Sequence, residues 1–354
     1  MKRLLLVRLR EIGDVVFTTP AVRALRRRFP EAHISYLVEP AAAPIVANNS
    51  HISEVIVAPR RAGLGGLAAE ARLVRRLRSA RYDVAIDFHG GPRASLLTWL
   101  SGAPVRVGYE VAARSWMYTQ RVGRPRELRA RHSVMNQWDL LTPFGIAPPQ
   151  PEVDSVEMPV DPETTRAVAE RLERAGLAAG DRLAIIHVSA GNPFRRWPID
   201  SFAAVAAGLA TGDSRCHVIV TSGPSERDAA ARVIAEARAR LGPSERQRVL
   251  DFGELSLTEL RAVLDDAAIY IGGDSGPLHV AATSRVPIVG LYGPTLPARS
   301  APWRTETQPA EAVEVQGLPC RPCDQRRCEP GDFRCLTRIT PEQVLDAARR
   351  VMNL

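Results

Sequence analysis

The 354-residue chain has few cysteines, few aromatic residues and almost no lysine. Five cysteines are too few for the disulfide-dense scaffold of a small secreted protein. Aromatic residues make up 5% of the chain, which is little for a protein that stacks the bases of single-stranded nucleic acid on its side chains. Among the 47 basic residues Lys2 is the only lysine, and the other 46 are arginines.

Long hydrophobic runs are missing as well. No uncharged apolar stretch approaches the roughly 18–20 residues that a membrane-spanning helix needs. The apolar run at residues 4–7 is interrupted by Arg8 and Arg10, and no small-residue cleavage site follows it. This pattern favours a buried first strand over a signal peptide, and we expect a cytoplasmic protein.

The charge balance is strongly basic, with a formal net charge of +8 and a pI of about 9.7. Two interpretations remain open. One is a compositional bias towards arginine, and the other is an anionic partner such as nucleic acid, a phosphorylated substrate or an anionic membrane surface. Because the basic residues are spread along predicted helices and aromatic residues are few, we expect no nucleic-acid partner.

Short apolar, β-branched runs alternate with helical patterns along the chain. With 45% hydrophobic residues, the sequence can fill two cores at roughly 100–200 residues per domain. The alternation predicts α/β domains with doubly wound parallel sheets. The predicted strands are 4–9, 33–38, 54–57, 84–88 and 105–107 in a first domain, and 183–188, 217–221, 249–252, 269–271 and 286–291 in a second.

A proline-rich stretch at residues 147–153 separates the two domains. We therefore predict a first domain at 1–147, a linker at 148–160 and a second domain at 161–340, followed by a last helix at 341–354. Ligands of such parallel sheets bind at the carboxyl ends of the strands. The expected function is the handling of an anionic ligand between the two domains.

The first motif is the stretch RLREIGDVV at residues 8–16, directly after the first strand. Gly13 allows a sharp turn or a close approach of a ligand, and Asp14 follows it at the end of the strand. Asp14 either carries chemistry or simply caps the next helix. No Gly-x-Gly-x-x-Gly pattern follows this strand and the chain has no P-loop motif, which disfavours NAD enzymes and P-loop NTPases.

Two further motifs lie in the second domain. The segment GGDSGPLHVAA at residues 272–282 follows a strand and opens a helix, a pattern that is typical of a phosphate site at a helix N-terminus. The segment HVSAGNPFRRWP at residues 187–198 places Arg195 and Arg196 after another strand. The plainer interpretations are an ordinary strand–turn–helix cap and two solvated arginines.

Together these segments resemble glycosyltransferase family 9, the heptosyltransferases of lipopolysaccharide assembly. The stretch from Arg8 to Asp14, the RRWP element, the GDSGPLH loop and the DFHGGPR segment at residues 87–93 carry the resemblance. It implies a GT-B fold, in which two Rossmann-like domains face a central cleft and the last helix packs back on the first domain.

The resemblance also implies roles for single residues. Asp14 matches the catalytic base of an inverting transfer. The residues expected to bind the nucleotide sugar are Ser189, Arg195, Arg196, Asp274, Ser275, Gly276 and His279, and those expected to bind the acceptor or its sugars are Arg10, Gly13 and Arg93. The sequence has no Asp-x-Asp metal motif, so we expect catalysis that requires no metal cofactor.

The implied activity is transfer of a heptose from ADP-heptose to the lipopolysaccharide inner core. Alternatives are another nucleotide sugar with a different glycan or lipid acceptor, and a GT-B nucleotide-sugar epimerase. A lipid-linked oligosaccharide acceptor implies peripheral contact with the anionic inner membrane. The candidate surface is the helical stretch 67–79, with Leu67, Val74 and Leu77 and with arginines at 60, 61, 72, 75, 76, 78 and 81. The plainer interpretation is a core-facing helix with solvated arginines.

Four of the five cysteines are clustered near the end of the second domain. Cys320, Cys323, Cys328 and Cys335 are close in sequence, whereas Cys216 stands alone and is expected in the core. Clustered thiols in a cytosolic protein favour metal binding over disulfides, and four thiolates suit tetrahedral zinc. An iron–sulfur cluster, disulfides or reduced thiols without metal remain open. Because the segment lies close to the final helix, we expect it to staple a long loop rather than to take part in chemistry.

Overall fold

The computed structural model describes residues 1–59, 63–123, 131–188 and 190–353, with the side chains of residues 63 and 64 left out. Arg60, Arg61 and Ser189, which the sequence analysis singled out, lie outside the described residues. The chain divides into two units, Met1–Pro159 and Val160–Leu354.

Unit 1 is built on one parallel sheet of six strands in the order β3-β2-β1-β4-β5-β6. This is the strand order of a dinucleotide-binding Rossmann sheet. Its strands are β1 (Arg3–Val7), β2 (His33–Val38), β3 (Glu54–Val57), β4 (Val84–Asp87), β5 (Val105–Tyr109) and β6 (Gln120–Val122). Its helices are α1 (Ile12–Val16), α2 (Thr19–Arg28), α3 (Ala43–Val46), α4 (Gly63–Ser79), α5 (Pro92–Leu100) and α6 (Ser133–Trp138).

Unit 2 repeats this plan with the strand order β12-β11-β10-β7-β8-β9, again all parallel. Its strands are β7 (Arg182–His187), β8 (Cys216–Thr221), β9 (Val249–Leu250), β10 (Ala267–Gly273), β11 (Ile288–Tyr292) and β12 (Ala310–Glu314). Its helices are α7 (Pro162–Arg174), α8 (Ile199–Gly212), α9 (Arg227–Ala239), α10 (Pro243–Arg246), α11 (Leu257–Val263), α12 (Gly276–Ala281), α13 (Pro297–Ser300), α14 (Arg334–Thr337) and α15 (Pro341–Val351). The predicted α/β class with two Rossmann-like sheets is confirmed.

The central strands are buried because helices cover both faces of each sheet. Leu4, Leu5, Leu6 and Val7 of β1 are all fully buried. The sequence of β1 is therefore a continuous apolar run and does not alternate between apolar and polar residues. Because the strands of each sheet are parallel, the carboxyl ends of β1 and β4 lie at one edge of the first sheet, and those of β7 and β10 at one edge of the second.

The predicted linker is largely packed onto unit 1. Val156 and Met158 are buried, and Asp154 accepts a hydrogen bond from Arg27 of α2 at 2.5 Å. Glu157 forms an ion pair with Arg23 of the same helix. The boundary between the units accordingly falls after Pro159, near the end of the predicted linker and beyond the proline-rich stretch.

The last helix, α15, packs within unit 2. Its buried residues Val344, Ala347, Ala348 and Val351 recur at helical spacing and join the core that contains α8 and the sheet of this unit. This corrects the expectation that the last helix packs back on the first domain, because its apolar face is used inside unit 2. Within the described residues, no helix is long and apolar enough to span a membrane.

Candidate functional site

The first candidate residue, Asp14, stands just beyond the carboxyl end of β1. The chain leaves β1 at Val7 and enters α1 at Ile12, and Asp14 lies in the first turn of that helix. The N-cap residue is Glu11, so Asp14 does not cap α1. The Asp14 carboxylate forms an ion pair with Arg8 and is 37% exposed. Arg8 in turn donates a 2.6 Å hydrogen bond to the carbonyl oxygen of Phe88, after β4.

The loop after β4 is shaped by a buried carboxylate. Asp87 accepts hydrogen bonds from the backbone amides of His89 (2.9 Å) and Gly90 (2.8 Å), and from the hydroxyl of Tyr118 (2.6 Å). Burial raises the pKa of Asp87, and these three hydrogen bonds oppose that rise. His89 is held against the first loop because its Nδ1 donates to the carbonyl oxygen of Arg10 at 3.1 Å. Burial lowers the pKa of His89, so its imidazole is neutral at neutral pH.

A cavity of about 530 Å³ opens between these loops of unit 1. It is lined by Leu9, Arg10, Glu39, Pro40, Ala41, Pro59, His89, Gly91, Pro92 and Arg93. The structure thus brings together two of the three predicted acceptor-binding residues, Arg10 and Arg93. Gly13 is buried inside α1 and does not line the cavity.

Arg93 is held by acidic partners inside unit 1. Its guanidinium donates to both carboxylate oxygens of Glu70, at 3.1 and 2.7 Å, and to Glu39 at 2.9 Å. A further hydrogen bond of 2.7 Å goes to the carbonyl oxygen of Pro59. Arg93 therefore shapes the wall of the cavity, while Arg10 contributes an exposed cation.

In unit 2, Arg195 meets the loop after β10. Its Nη1 donates to the carbonyl oxygen of Asp274 at 3.0 Å and lies 3.4 Å from Oδ2 of the same residue. Its Nε donates to Gln325 Oε1 at 2.7 Å. The neighbouring Arg196 is directed elsewhere, to Glu226 at 2.7 Å and to the carbonyl oxygen of Ala190 at 3.0 Å.

The buried carboxylate of Asp274 has an arginine, a histidine and a threonine hydroxyl group of unit 2 as neighbours. Thr295 donates a 2.6 Å hydrogen bond to its Oδ2, and His279 Nε2 lies 3.5 Å from its Oδ1. Burial alone would raise the pKa of Asp274, but His279, Arg195 and Thr295 outweigh it and lower the pKa to about 2. Asp274 is therefore ionised at neutral pH and anchors the loop that it begins.

The hydroxyl of Ser275 follows in this loop. Its Oγ is buried and has no hydrogen-bond partner among the residues that the structure describes. Gly276 begins α12, which is six residues long. At Gly273 a Cβ atom would lie 3.3 Å from the carbonyl oxygen of Arg195, which is a tight contact, so glycine is favoured where the turn that contains Arg195 packs on the end of β10.

Several residues of these sites were not among the predicted site residues. Arg8 and His89 lie in segments that carry the family resemblance, which gave neither of them a role. Thr295 lies in the loop after β11. No sequence pattern predicts the contact of Gln325 with Arg195, because the two residues lie 130 positions apart and Gln325 belongs to the cysteine-rich segment.

Comparison with known proteins places this geometry in a family. Residues 70–332 match glycosyltransferase family 9 (heptosyltransferase). The chain belongs to glycosyltransferase family 9. It is thus an enzyme, a glycosyltransferase, as the sequence analysis predicted.

Individual proteins of the family resemble the whole chain. Lipopolysaccharide heptosyltransferase 3 of Escherichia coli is 27% identical over 319 residues, which cover 89% of this chain and 89% of the relative. A family 9 glycosyltransferase structure from Veillonella parvula DSM 2008 superimposes with a TM-score of 0.81 at 23% identity, covering 99% of this chain and 97% of that one. The structure of the E. coli ADP-heptose lipopolysaccharide heptosyltransferase II gives a TM-score of 0.76 at 20% identity, with 100% and 99% coverage. The GT-B fold is thereby confirmed.

The Thr295 hydroxyl is expected to stabilise unit 2 through Asp274. In Thr295→Val the buried Oδ2 loses a donor, which should lower the free energy of unfolding by about 1–3 kcal/mol. Urea denaturation would measure this change. Thr295→Ser keeps the hydroxyl and serves as the control. Equal stability of the two variants would contradict a stabilising role for this hydrogen bond.

Proposed function

We propose that this glycosyltransferase transfers a heptose from ADP-heptose to a hydroxyl of the lipopolysaccharide inner core, with inversion, and that Asp14 is the general base. The names of its relatives support the sugar, the nucleotide and the lipopolysaccharide acceptor. The observation that carries the proposal is the Asp14 carboxylate, which Arg8 holds, partly exposed, at the carboxyl end of β1.

The geometry of Asp14 suits a base. Arg8 contacts Oδ2, and Oδ1 forms no hydrogen bond within the described part of the chain. In the reaction the acceptor oxygen bonds to the anomeric carbon from the face opposite the diphosphate, and its proton passes to Asp14. The bond from the anomeric carbon to the diphosphate oxygen breaks, and its electron pair leaves with ADP. Positioned proton transfer of this kind contributes about 10²–10⁴-fold to the rate.

Residues of unit 2 would stabilise the negative charge of the departing diphosphate. Arg195 uses Nε and Nη1 within the protein, and its Nη2 forms no hydrogen bond to any residue that the structure describes. Ser275 Oγ is a second donor without a partner there. Preorganised donors that face developing charge stabilise the transition state. With Arg195 and Ser275 in this role and Asp274 as anchor of the loop, catalysis requires no metal ion.

The cavity of unit 1 suits the acceptor. It offers the Arg10 cation and the neutral imidazole of His89 beside the loop that leads to Asp14. A sugar acceptor with acidic substituents would find a charge partner in Arg10 and a hydrogen-bonding partner in His89. Arg93 would act by shaping the wall, since Glu39 and Glu70 occupy its donors.

The Asp14→Asn variant should lower kcat by at least about 10²-fold and leave ADP affinity nearly unchanged, because the amide cannot accept the proton. Steady-state assays with ADP-heptose and a truncated lipid acceptor, together with calorimetric ADP titration, would measure both. Glu11→Gln removes an exposed carboxylate from the same loop and should keep near-wild-type turnover. Near-wild-type turnover of Asp14→Asn would overturn the assignment of the base.

The Arg195→Ala variant should weaken ADP binding by about 10- to 150-fold, because a hydrogen bond to a charged group contributes about 1.5–3 kcal/mol. Turnover should fall as well. Arg195→Lys should recover part of the affinity, since it keeps the charge without the planar geometry. Arg166→Ala removes an exposed arginine of α7 and is the control. Unchanged affinity and rate in Arg195→Ala would remove Arg195 from the donor site.

A lipid-linked acceptor would bring the enzyme to the cytoplasmic face of the inner membrane as a peripheral protein. On α4, Leu73 and Leu77 are buried in the core of unit 1, whereas Leu67 is 70% exposed. Arg72, Arg75 and Arg78 are exposed on the same helix, and the neighbouring Arg76 pairs with Glu54 at 2.6 Å. The apolar stripe of α4 thus mostly faces the core of unit 1. The exposed arginines of α4 would therefore make the contact with an anionic membrane.

The triple variant Arg72, Arg75, Arg78→Glu should weaken sedimentation with anionic vesicles, because each basic residue near the surface contributes about 1 kcal/mol. Wild-type binding should fall as salt rises. The control replaces Arg166, Arg240 and Arg285, three exposed arginines of unit 2, by glutamate and makes the same change in charge. If both triple variants bind anionic vesicles equally well, or if the wild type binds neutral and anionic vesicles equally well, α4 is not the contact.

A further inference from the structure

The four clustered cysteines of unit 2 line one small cavity. Its volume is about 30 Å³, which leaves room for a single ion-sized sphere. Cys320, Cys323, Cys328 and Cys335 all contribute to its wall, whereas Cys216 lies elsewhere in the core. Thiolates are the ligands that zinc prefers, and four of them complete a tetrahedral structural site.

The surroundings of this cavity suit a zinc site in charge. Zinc with four thiolates carries a net charge of about −2, which needs compensation where water is scarce. Arg321, Arg327 and Arg334 line the same cavity, together with Glu329. Arg321 also pairs with Glu314 and Arg334 with Asp332, so Arg327 is the arginine of the lining whose charge is best placed to offset the thiolates. As the side chains stand in the described residues, no group of three or more His, Cys, Asp or Glu is arranged so that it could hold a metal ion. Metal binding would therefore draw the thiols inward across the cavity.

The segment that carries the cysteines has little structure of its own. Between β12 and α14, residues 315–333 form neither helix nor strand. Structureless loops of this length are uncommon in compact domains and usually have a function. A metal ion bound by both ends of such a loop would fix its conformation.

This loop touches the donor-binding elements at three points. Gln325, between the second and third cysteines, accepts hydrogen bonds from Arg195 Nε at 2.7 Å and from Asn192 Nδ2 at 2.9 Å. The amide of Cys323 donates to the carbonyl oxygen of Pro294 at 3.2 Å. Arg321 donates to the carbonyl oxygen of Thr295 at 2.7 Å.

We propose that Cys320, Cys323, Cys328 and Cys335 bind one zinc ion, and that the bound ion holds Gln325 against Arg195 and so sets the affinity for the diphosphate of the donor. Gln325 is then a positioning residue, because it acts through Arg195. The effect on the donor rests on the function proposed above, whereas the metal site does not.

The metal site is tested on the purified full-length chain. After loading with zinc and dialysis, elemental analysis should find one zinc ion per chain in the wild type and in Cys216→Ser, the matched control. The double variant Cys320→Ser, Cys323→Ser should retain none. Cobalt(II) should give the absorption of tetrahedral thiolate coordination in the first two proteins only. Zinc that is absent from the wild type, or retained by the double variant, would overturn the site.

The coupling is tested by hydrogen exchange without any nucleotide. Zinc should slow exchange of backbone amides in residues 320–335 and also in 192–196 of the wild type. In Gln325→Ala, the first segment should still be protected by zinc and the second should not. The coupling would be overturned if zinc does not slow hydrogen exchange of residues 192–196 in the wild type. It would also be overturned if zinc slows that exchange equally in Gln325→Ala.

ADP titration then measures the consequence for the donor. Removal of zinc should weaken ADP binding by about twofold to tenfold in the wild type and leave Gln325→Ala unchanged. Zinc-loaded protein that binds no ADP would contradict the proposed function while the metal and exchange results stand on their own. ADP affinity that ignores zinc, in protein that binds ADP, would overturn the role of the ion in setting affinity.

Discussion

The candidate donor site depends on one buried carboxylate. Asp274 is removed from water at the end of β10, and Arg195, Thr295 and His279 compensate its charge. Because a buried charge that loses a partner is strongly destabilising, the segments that supply these partners are held in one arrangement. The buried Asp274 carboxylate therefore fixes the positions of three segments, which are the turn at 193–195, the loop after β11 and the start of α12.

Within each unit, the position of a candidate residue in the fold is predictable from sequence where the signal is local. Asp14 and the loop at 273–279 each follow an apolar strand, and parallel strands end at one edge, so their placement follows from the pattern. Partners that come from distant segments leave no such trace. Gln325 lies 130 residues from Arg195, and Arg93 is occupied by two glutamates that belong to other elements. The family resemblance implied an acceptor contact for Arg93, and its contacts to Glu39 and Glu70 could not be predicted from the sequence.

The fold shows the same division between local and distant signals. The central strands were predictable because burial on both faces makes them uniformly apolar. The edge strands β6 and β12 are absent from the predicted set because both are rich in polar residues, such as Gln120 and Arg121 in β6, and lack the apolar run that marks the predicted strands. The packing partner of α15 was assigned to the wrong domain, because an amphipathic helix shows in its sequence that it has a face to bury but not what covers that face.

The position of α15 has a consequence for how the protein can be divided. The apolar cluster of unit 2 draws its members from residues 184–352, and the described cluster around α4 and α5 draws its members from residues 5–103. The helix α15, which completes the core of unit 2, thus comes from the segment of the chain that forms unit 2. A gene cut between Pro159 and Val160 would encode a second half that keeps its sheet, the loop at 273–279, its cysteine segment and the helix that covers its core, which makes the two halves natural modules for recombination.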